Sequence, residues 1–314
     1  MRGISKLDVS SKKILVRVDL NSPIEDGKIV PGPRIDVHAE TISELSKRGA
    51  RVVVLAHQGR KGKPDYLPLE QHAKYLRQLL DHDIFYVTDV IGDEAKAAIN
   101  KLEDGQILVL DNVRGLECEN DRWGKITKEL APLADYFVLD AFSVAHRQHS
   151  SVVGFEKKLP CFAGFHLEEE IEALDKLKEA KDLTFILGGS KADDSFAIMK
   201  KWLREGRARK VLVAGALAIL FLHSQGKNVG ESIKSLDIPN LDSHVEEAKA
   251  IIDEFDGHIV LPVDAGLNID GKRTDCDVGS IEKGQIWDIG PKTLELYKEV
   301  IFHSHTVVMN GPAG

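Results

Sequence analysis

Cysteine is scarce in this chain. Only Cys118, Cys161 and Cys276 occur in 314 residues, and no two have the CxxC spacing of a zinc or redox site. They read as free thiols of a reducing, cytoplasmic environment, so no disulfide framework is expected. Positive charge is also short. The net charge of −8 leaves no overall basic field to attract nucleic acid. Long apolar runs are missing: the longest, Val211–Leu222, cannot span a bilayer and reads as a buried strand running into a helix. The opening MRGISKLDVSSKK has no signal-peptide core. Neither the GxxxxGK[ST] loop nor the GxGxxG fingerprint occurs, which argues against a P-loop or dinucleotide-binding protein.

Strand-like and helix-like segments alternate almost from end to end. Short apolar runs at Ile14–Val18, Val52–Ala56, Ile84–Val87, Ile107–Leu110 and Phe137–Leu139 are hydrophobic on both faces, as strands covered by helices must be. Thr184–Leu187, Val211–Ala214, Ile259–Val263 and Thr306–Met309 repeat the pattern. Amphipathic segments at Asp36–Arg48, Leu69–Leu80 and Gly92–Leu102 lie between strands. The expected fold class is α/β, a doubly wound parallel sheet in each of two domains. A long helix at His166–Ala180, with Leu167, Ile171, Leu174 and Leu177 at helical spacing, marks the junction. The expected division is 1–165, a connecting hinge helix 166–180 whose ends would bend on closure, and 181–314.

Five arginines carry the functional signal: Arg17, Arg34, Arg60, Arg114 and Arg147. Residues 1–150 hold 22 Lys and Arg against 23 Asp and Glu, so the cluster sits on a nearly neutral half and points to a local site for a small anion. Four of the five lie at or just beyond a strand end, where α/β sheets bind ligands. Guanidinium forks match carboxylate and phosphate oxygens. In Arg17–Pro23, Asp19 and Asn21 would face one way along an extended chain and could bind ligand hydroxyls; the competing reading is an Asx turn. Arg34 at a helix start is poorly placed for the helix dipole and well placed to share an anion with it. His57-Gln58-Gly59-Arg60 follows a strand, and Gly59 would let the backbone approach a ligand. Asp111–Arg114 and Asp140–Ser150 each add an arginine. His146 and His149 could ligate a metal by type but lack a third ligand, so they are expected to orient Arg147 or help bind the anion. Arg17, inside its strand, is expected to pair with a neighbouring carboxylate. In the second half, Gly188-Gly189-Ser190-Lys191 could offer backbone N–H groups and a charge to phosphate. Asn310–Gly314 could form a tight loop over a nucleotide.

Taken in order, Arg17–Pro23, Arg34-Ile35, Ala56–Arg60, Asp111–Arg114, Asp140–Ser150 and Gly188–Lys191 resemble the motifs of the phosphoglycerate kinase family. The likeness continues through Leu261–Asp264, Asp288–Pro291 and Asn310–Gly314. It implies two Rossmann-like domains and reversible phosphoryl transfer between 1,3-bisphosphoglycerate and ADP, giving 3-phosphoglycerate and ATP. It implies that Asp19, Leu20, Asn21, Arg34, His57, Gln58, Gly59, Arg60, Arg114 and Arg147 hold the phosphoglycerate. Gly189, Ser190, Lys191, Gly215, Asn310, Pro312 and Gly314 would line the nucleotide site. Arg34 and Lys191 would be catalytic. Mg²⁺ would come with the nucleotide, with no metal ligand among these residues. The protein would be a monomer or homodimer without nucleic-acid or membrane partners.

The chain departs from the family pattern in three places. Ser195 stands where a second lysine is common. Ala214-Gly215-Ala216 replaces a richer glycine run. The family's sugar-binding glutamate, GGG-D-(S/T) loop and last helix, which follow the Asn310–Gly314 motif, are not among the 314 residues. The expectation from this last point is a fragment or incomplete second domain that binds phosphoglycerate with little or no turnover.

Overall fold

The computed structural model describes residues 2–189, 191–236 and 238–314. Two compact units emerge, Met1–Asp175 and Lys176–Gly314.

The first unit is built on strands β1 (Arg2–Gly3), β2 (Lys13–Arg17), β5 (Arg51–Leu55), β6 (Ile84–Tyr86), β7 (Ile107–Val109), β8 (Tyr136–Leu139) and β9 (Cys161–Ala163), with a small hairpin of β3 (Ile24–Glu25) and β4 (Lys28–Ile29). The large sheet has the order β1-β9-β8-β2-β5-β7-β6, and every pairing is parallel. Its helices are α1 (Pro33–Lys47), α2 (Glu70–Leu79), α3 (Asp93–Lys101), α4 (Lys125–Leu130), α5 (Ser150–Val153) and α6 (Phe165–Glu179). Period-two alternation sends Ile14, Val16, Val52 and Val54 to one face, and Leu15, Val53 and Leu55 to the other. Both faces are buried, and each such side chain contributes about 1.5–3 kcal/mol over its exposed state. That double burial is why these strands have no polar face.

The second unit has a parallel sheet of order β12-β11-β10-β16, formed by β10 (Leu183–Leu187), β11 (Ala208–Val213), β12 (Ile259–Val260) and β16 (Thr306–Asn310). Its helices are α7 (Ala192–Arg204), α8 (Gly215–Ser224), α9 (Ser232–Ser235), α10 (Leu241–Glu254) and α11 (Pro291–Phe302). An antiparallel sheet of β13 (Asp264–Ile269), β14 (Lys272–Asp277) and β15 (Gln285–Ile289) joins it. The sequence reading misses this sheet because Lys-Arg-Thr-Asp-Cys-Asp in β14 is almost wholly exposed and has no apolar alternation. The expected strand Ile259–Val263 stops at Val260, and Pro262, which has no N–H to give a ladder, lies just beyond.

The apolar stripe of α6 is not one continuous seam. Leu167 and Ile171 pack on the core of the first unit, and Leu177 packs on that of the second. Leu174 between them is 43% exposed.

Candidate functional site

Strands β8, β2, β5 and β7 are consecutive neighbours. Their C-terminal loops therefore emerge side by side, although they come from positions 18, 56, 110 and 140 of the chain. Together they line a cavity of about 280 Å³ that includes Asp19, Asn21, His57, Gly59, Arg60, Arg114 and Arg147. Among the described residues, Arg60, Arg114 and Arg147 have no carboxylate within ion-pair distance. The Nε atom of Arg147 is buried without a partner. Burial, then repulsion from Arg147 and Arg60, lowers the pKa of Arg114. Three guanidinium groups thus converge on one cavity with no carboxylate in ion-pair contact among the described residues, Glu119 and Asp19 acting on Arg114 only from longer range.

The rim is fixed by short polar links. The Asx turn does form: Asn21 N–H donates to Asp19 Oδ1 at 3.0 Å, yet both side chains still line the cavity. Ser143 Oγ donates to Asp19 Oδ2 at 2.5 Å. Burial opposes the charge on Asp19, but the bonds from Ser143 and Asn21, with the charge of Arg34 nearby, hold its carboxyl below the ordinary range. Gly59 N–H donates to Asn21 Oδ1 at 2.8 Å, and Arg114 donates to the Gly59 carbonyl at 2.5 Å. Gly59 has φ +61°, and a Cβ there would lie 2.1 Å from the Asp65 carbonyl oxygen. The close approach that demands glycine is therefore to the chain itself.

Arg34 is the second residue of α1 and lines an adjoining groove with Asn21 and Asp65. Its guanidinium is half exposed, donates to the Asn21 carbonyl at 3.1 Å and lies 3.5 Å from Asp19.

Several expected site residues face elsewhere. Leu20 is fully buried. Gln58 is buried, and its amide is consumed by Ser22, Asp65 and His72, so it anchors loops and offers no ligand contact. Arg17 is buried and makes no ion pair among the described residues; it donates to Ser151 Oγ and His57 Nδ1. It reaches a carboxylate, Glu119, only through Ser151. His149 lies 3.5 Å from Glu119, and neither His146 nor His149 is part of the cavity wall. Asp65, which carries no motif signal, lines the cavity from the loop that follows Arg60.

His57 is strongly perturbed. Burial first, then the charges of Arg17 and Arg114, push its pKa down to about 2. The ring is neutral and cannot serve as a proton acceptor near neutrality.

In the second unit, the loops after β10, β11 and β16 are likewise neighbours. They line a cavity of about 610 Å³ with Gly189, Lys191, Gly215, Asn310, Pro312 and Gly314. Ser190 lies outside the described residues. Gly188 N–H donates to the Asn310 carbonyl and Gly215 N–H to that of Ala313, both at 2.9 Å. These two donors are spent within the chain. A Cβ on Gly188 would lie 1.9 Å from the Pro312 carbonyl oxygen, so glycine is what permits the close approach. Lys191 is exposed at the head of α7 and supplies the charge, and buried Ser195 also lines the cavity. An apolar wall of Ile219, Leu222, Leu236, Ile286 and Trp287 faces these polar groups. Ile286 and Trp287 carry no motif signal, because a strand with a ligand-facing side has the same alternation as any other strand.

No group of three or more His, Cys, Asp or Glu suited to a metal occurs among the described residues. Asp264 is buried and saturated by Thr293 and the Lys292 N–H, and Asp288 lies 3.3 Å from Arg273. No helix among the described residues is long and apolar enough to cross a membrane.

The family profile described as phosphoglycerate kinase matches residues 4–314. The phosphoglycerate kinase of Methanothermobacter thermautotrophicus is 41% identical, over 100% of this chain and 79% of that protein. That of Pyrococcus horikoshii is 37% identical, over 100% of this chain and 80% of its own. The crystal structure of phosphoglycerate kinase from Pyrococcus horikoshii superposes with a TM-score of 0.94 at 35% identity, covering 100% of this chain and 81% of that one. The Coxiella burnetii enzyme gives 0.74 at 30% identity, covering 99% and 80%. On this ground the chain belongs to the phosphoglycerate kinase family of phosphotransferases.

Proposed function

We propose that this protein transfers a phosphoryl group reversibly between 1,3-bisphosphoglycerate and ADP. The observation that carries the reading is the trio Arg60, Arg114 and Arg147, without an ion-pair partner among the described residues, around one cavity with Asp19, Asn21 and His57. A ligand bearing a phosphate and a carboxylate supplies the missing negative charge. Arg60, Arg114 and Arg147 grip its distal phosphate. Asp19 and Asn21 take its hydroxyl.

In the ATP-forming direction a β-phosphate oxygen of ADP attacks the acyl phosphate phosphorus, and the bond to the carboxyl oxygen breaks. In reverse the carboxylate of 3-phosphoglycerate is the nucleophile. It is already ionised at neutral pH, so no general base is required. This agrees with a neutral His57. Positive charge on the equatorial oxygens is what the reaction needs, and Arg34 and Lys191 are the groups for it. Gly189, Gly215, Asn310, Pro312 and Gly314 hold the nucleotide against the apolar wall. Mg²⁺ would arrive with the nucleotide and supply further positive charge to the transferred group. Asp264 and Asp288 are committed to protein partners and do not fit a resident ion.

The division 1–165, 166–180 and 181–314 belongs to this reading, with one substrate assigned to each outer part. So do a cytoplasmic setting, supported by three free thiols, and action as a monomer or homodimer. A phosphoglycerate-binding module without turnover is not favoured, since the relatives matched over the whole chain are kinases. Calorimetry with 3-phosphoglycerate and with MgADP, beside a coupled assay of turnover, tests the proposal. Both ligands should bind and turnover should be measurable; binding of phosphoglycerate alone would leave the module reading standing.

A further inference from the structure

Behind the arginine cavity lies a buried polar chain that the transfer reaction itself does not use. Arg17 is 1% exposed. Its Nε donates to Ser151 Oγ at 3.0 Å, one terminal nitrogen to the Val18 carbonyl, and the other to His57 Nδ1 at 2.9 Å. Ser151 Oγ passes its own proton towards Glu119 Oε1 at 2.6 Å, and Ser151 N–H donates to Glu119 Oε2 at 3.0 Å. Glu119 is 2% exposed and outside the cavity.

Arginine can only donate. His57 Nδ1 must therefore accept, and the neutral ring carries its proton on Nε2. That nitrogen has no partner among the described residues, while the ring lines the cavity. We propose that Glu119 and Ser151 are positioning residues that act through Arg17 to hold His57 as the Nε2–H tautomer, a neutral donor to an oxygen of the bound phosphoglycerate. The inference rests on the phosphoglycerate reading of this cavity. An imidazolium would add a fourth cation beside three guanidinium groups, whereas a neutral donor adds direction without further repulsion. Glu119 offsets the buried charge that Arg17 brings to the task.

The test combines ring spectroscopy with kinetics. In protein with ¹⁵N-labelled histidine, the His57 signals are assigned by their loss in His57→Gln. In the unaltered protein they should show Nε2–H with an accepting Nδ1 down to pH 5. An Nδ1–H form or an imidazolium there would overturn the proposal, whatever the kinetics of the relay variants. In Ser151→Ala and Glu119→Gln the ring should leave this single state. KM for 3-phosphoglycerate should rise roughly tenfold, the loss of one hydrogen bond to a charged ligand. KM for MgATP should stay within about twofold, since the nucleotide cavity lies in the other unit. Unchanged ring signals and an unchanged phosphoglycerate KM in both folded variants would equally sink the relay. Absence of kinase activity in the unaltered protein would strike instead at the reading beneath it, because the ring spectra are recorded without turnover.

Discussion

At the scale of single residues, the arginines separate by what already touches them. Arg60, Arg114 and Arg147 have no carboxylate within ion-pair distance among the described residues, Arg17 is committed to the interior, and Arg34 is tethered to Asn21 with half its surface free. Arg34→Lys keeps one charge and loses the fork. It should lower kcat by about 10²-fold or more while changing the Kd for 3-phosphoglycerate far less. Equal losses in the two constants, measured by steady-state kinetics and calorimetry, would mark Arg34 as a plain binding group. Histidine burial sets a pH dependence. The pKa of His57 is pushed down to about 2, and burial pushes that of His72 down to about 4. The unfolded chain protonates both near pH 6.5 and the folded protein does not, so the unfolded state binds more protons as pH falls below 6.5. Stability is lost there, by about 2 kcal/mol per histidine at pH 5. His244, raised chiefly by its bond to Asp193, works in the opposite sense and loses its contribution as pH rises. Urea midpoints at pH 7 and pH 5 should show a net fall, and His72→Gln should reduce the difference between them.

At the scale of elements, the ends of strands and helices carry most of the tertiary information. Asp264 anchors the start of α11: its carboxylate accepts the N–H groups of Lys292 and Thr293 and the Thr293 hydroxyl, all within 2.9 Å. Asp264→Ala should cost about 2–4 kcal/mol, read as a drop in the denaturation midpoint, because several buried donors lose their acceptor at once. Gly188→Ala would drive a methyl into the Pro312 carbonyl and separate the loops after β10 and β16. MgADP affinity should fall at least tenfold, a backbone displacement being costlier than a lost contact. Affinity for 3-phosphoglycerate should stay unchanged, and calorimetry on the one variant decides both halves. The helices α1, α2, α3 and α6 are legible in advance from apolar spacing and glycine stops. The antiparallel sheet is not, because its edge strand, Lys272–Asp277, is exposed except at Cys276.

At the scale of the whole molecule, the ligand-free protein holds a knot of three guanidinium groups that Asp19 and Glu119 offset only in part. Removing one member should relieve it. Arg147→Met should leave the ligand-free protein as stable or up to about 1 kcal/mol more stable, and should abolish stabilisation by 3-phosphoglycerate. For the unaltered protein, ligand at a hundredfold excess over Kd should stabilise by about 2.7 kcal/mol. Thermal melts of both proteins with and without ligand read this out. A destabilised variant that still responds fully to ligand would show that Arg147 serves the fold and leaves the anion to others.

Local chemistry is enough to specify the α/β class, the loop positions of the arginines and the glycine-rich turns, because backbone geometry and side-chain periodicity act over a few residues at a time. Nothing in that local chemistry orders the strands. Only the assembled sheets, with β2 between β8 and β5 and β10 between β11 and β16, bring distant loops into two cavities. The same holds for orientation. Arg17 and Arg60 look alike in a string of letters, and Gln58 looks as available as Arg60. Packing turned Arg17 and Gln58 inward, where hydrogen bonds to neighbours offset the cost of burial, and left Arg60 exposed with no carboxylate in ion-pair distance among the described residues. Glu119 and Ser151 carry no local signal at all, since Ser151 meets Glu119 across 32 residues and Arg17 across 134, and Asp65 gains its place only because its loop folds back over Gln58 and Arg60.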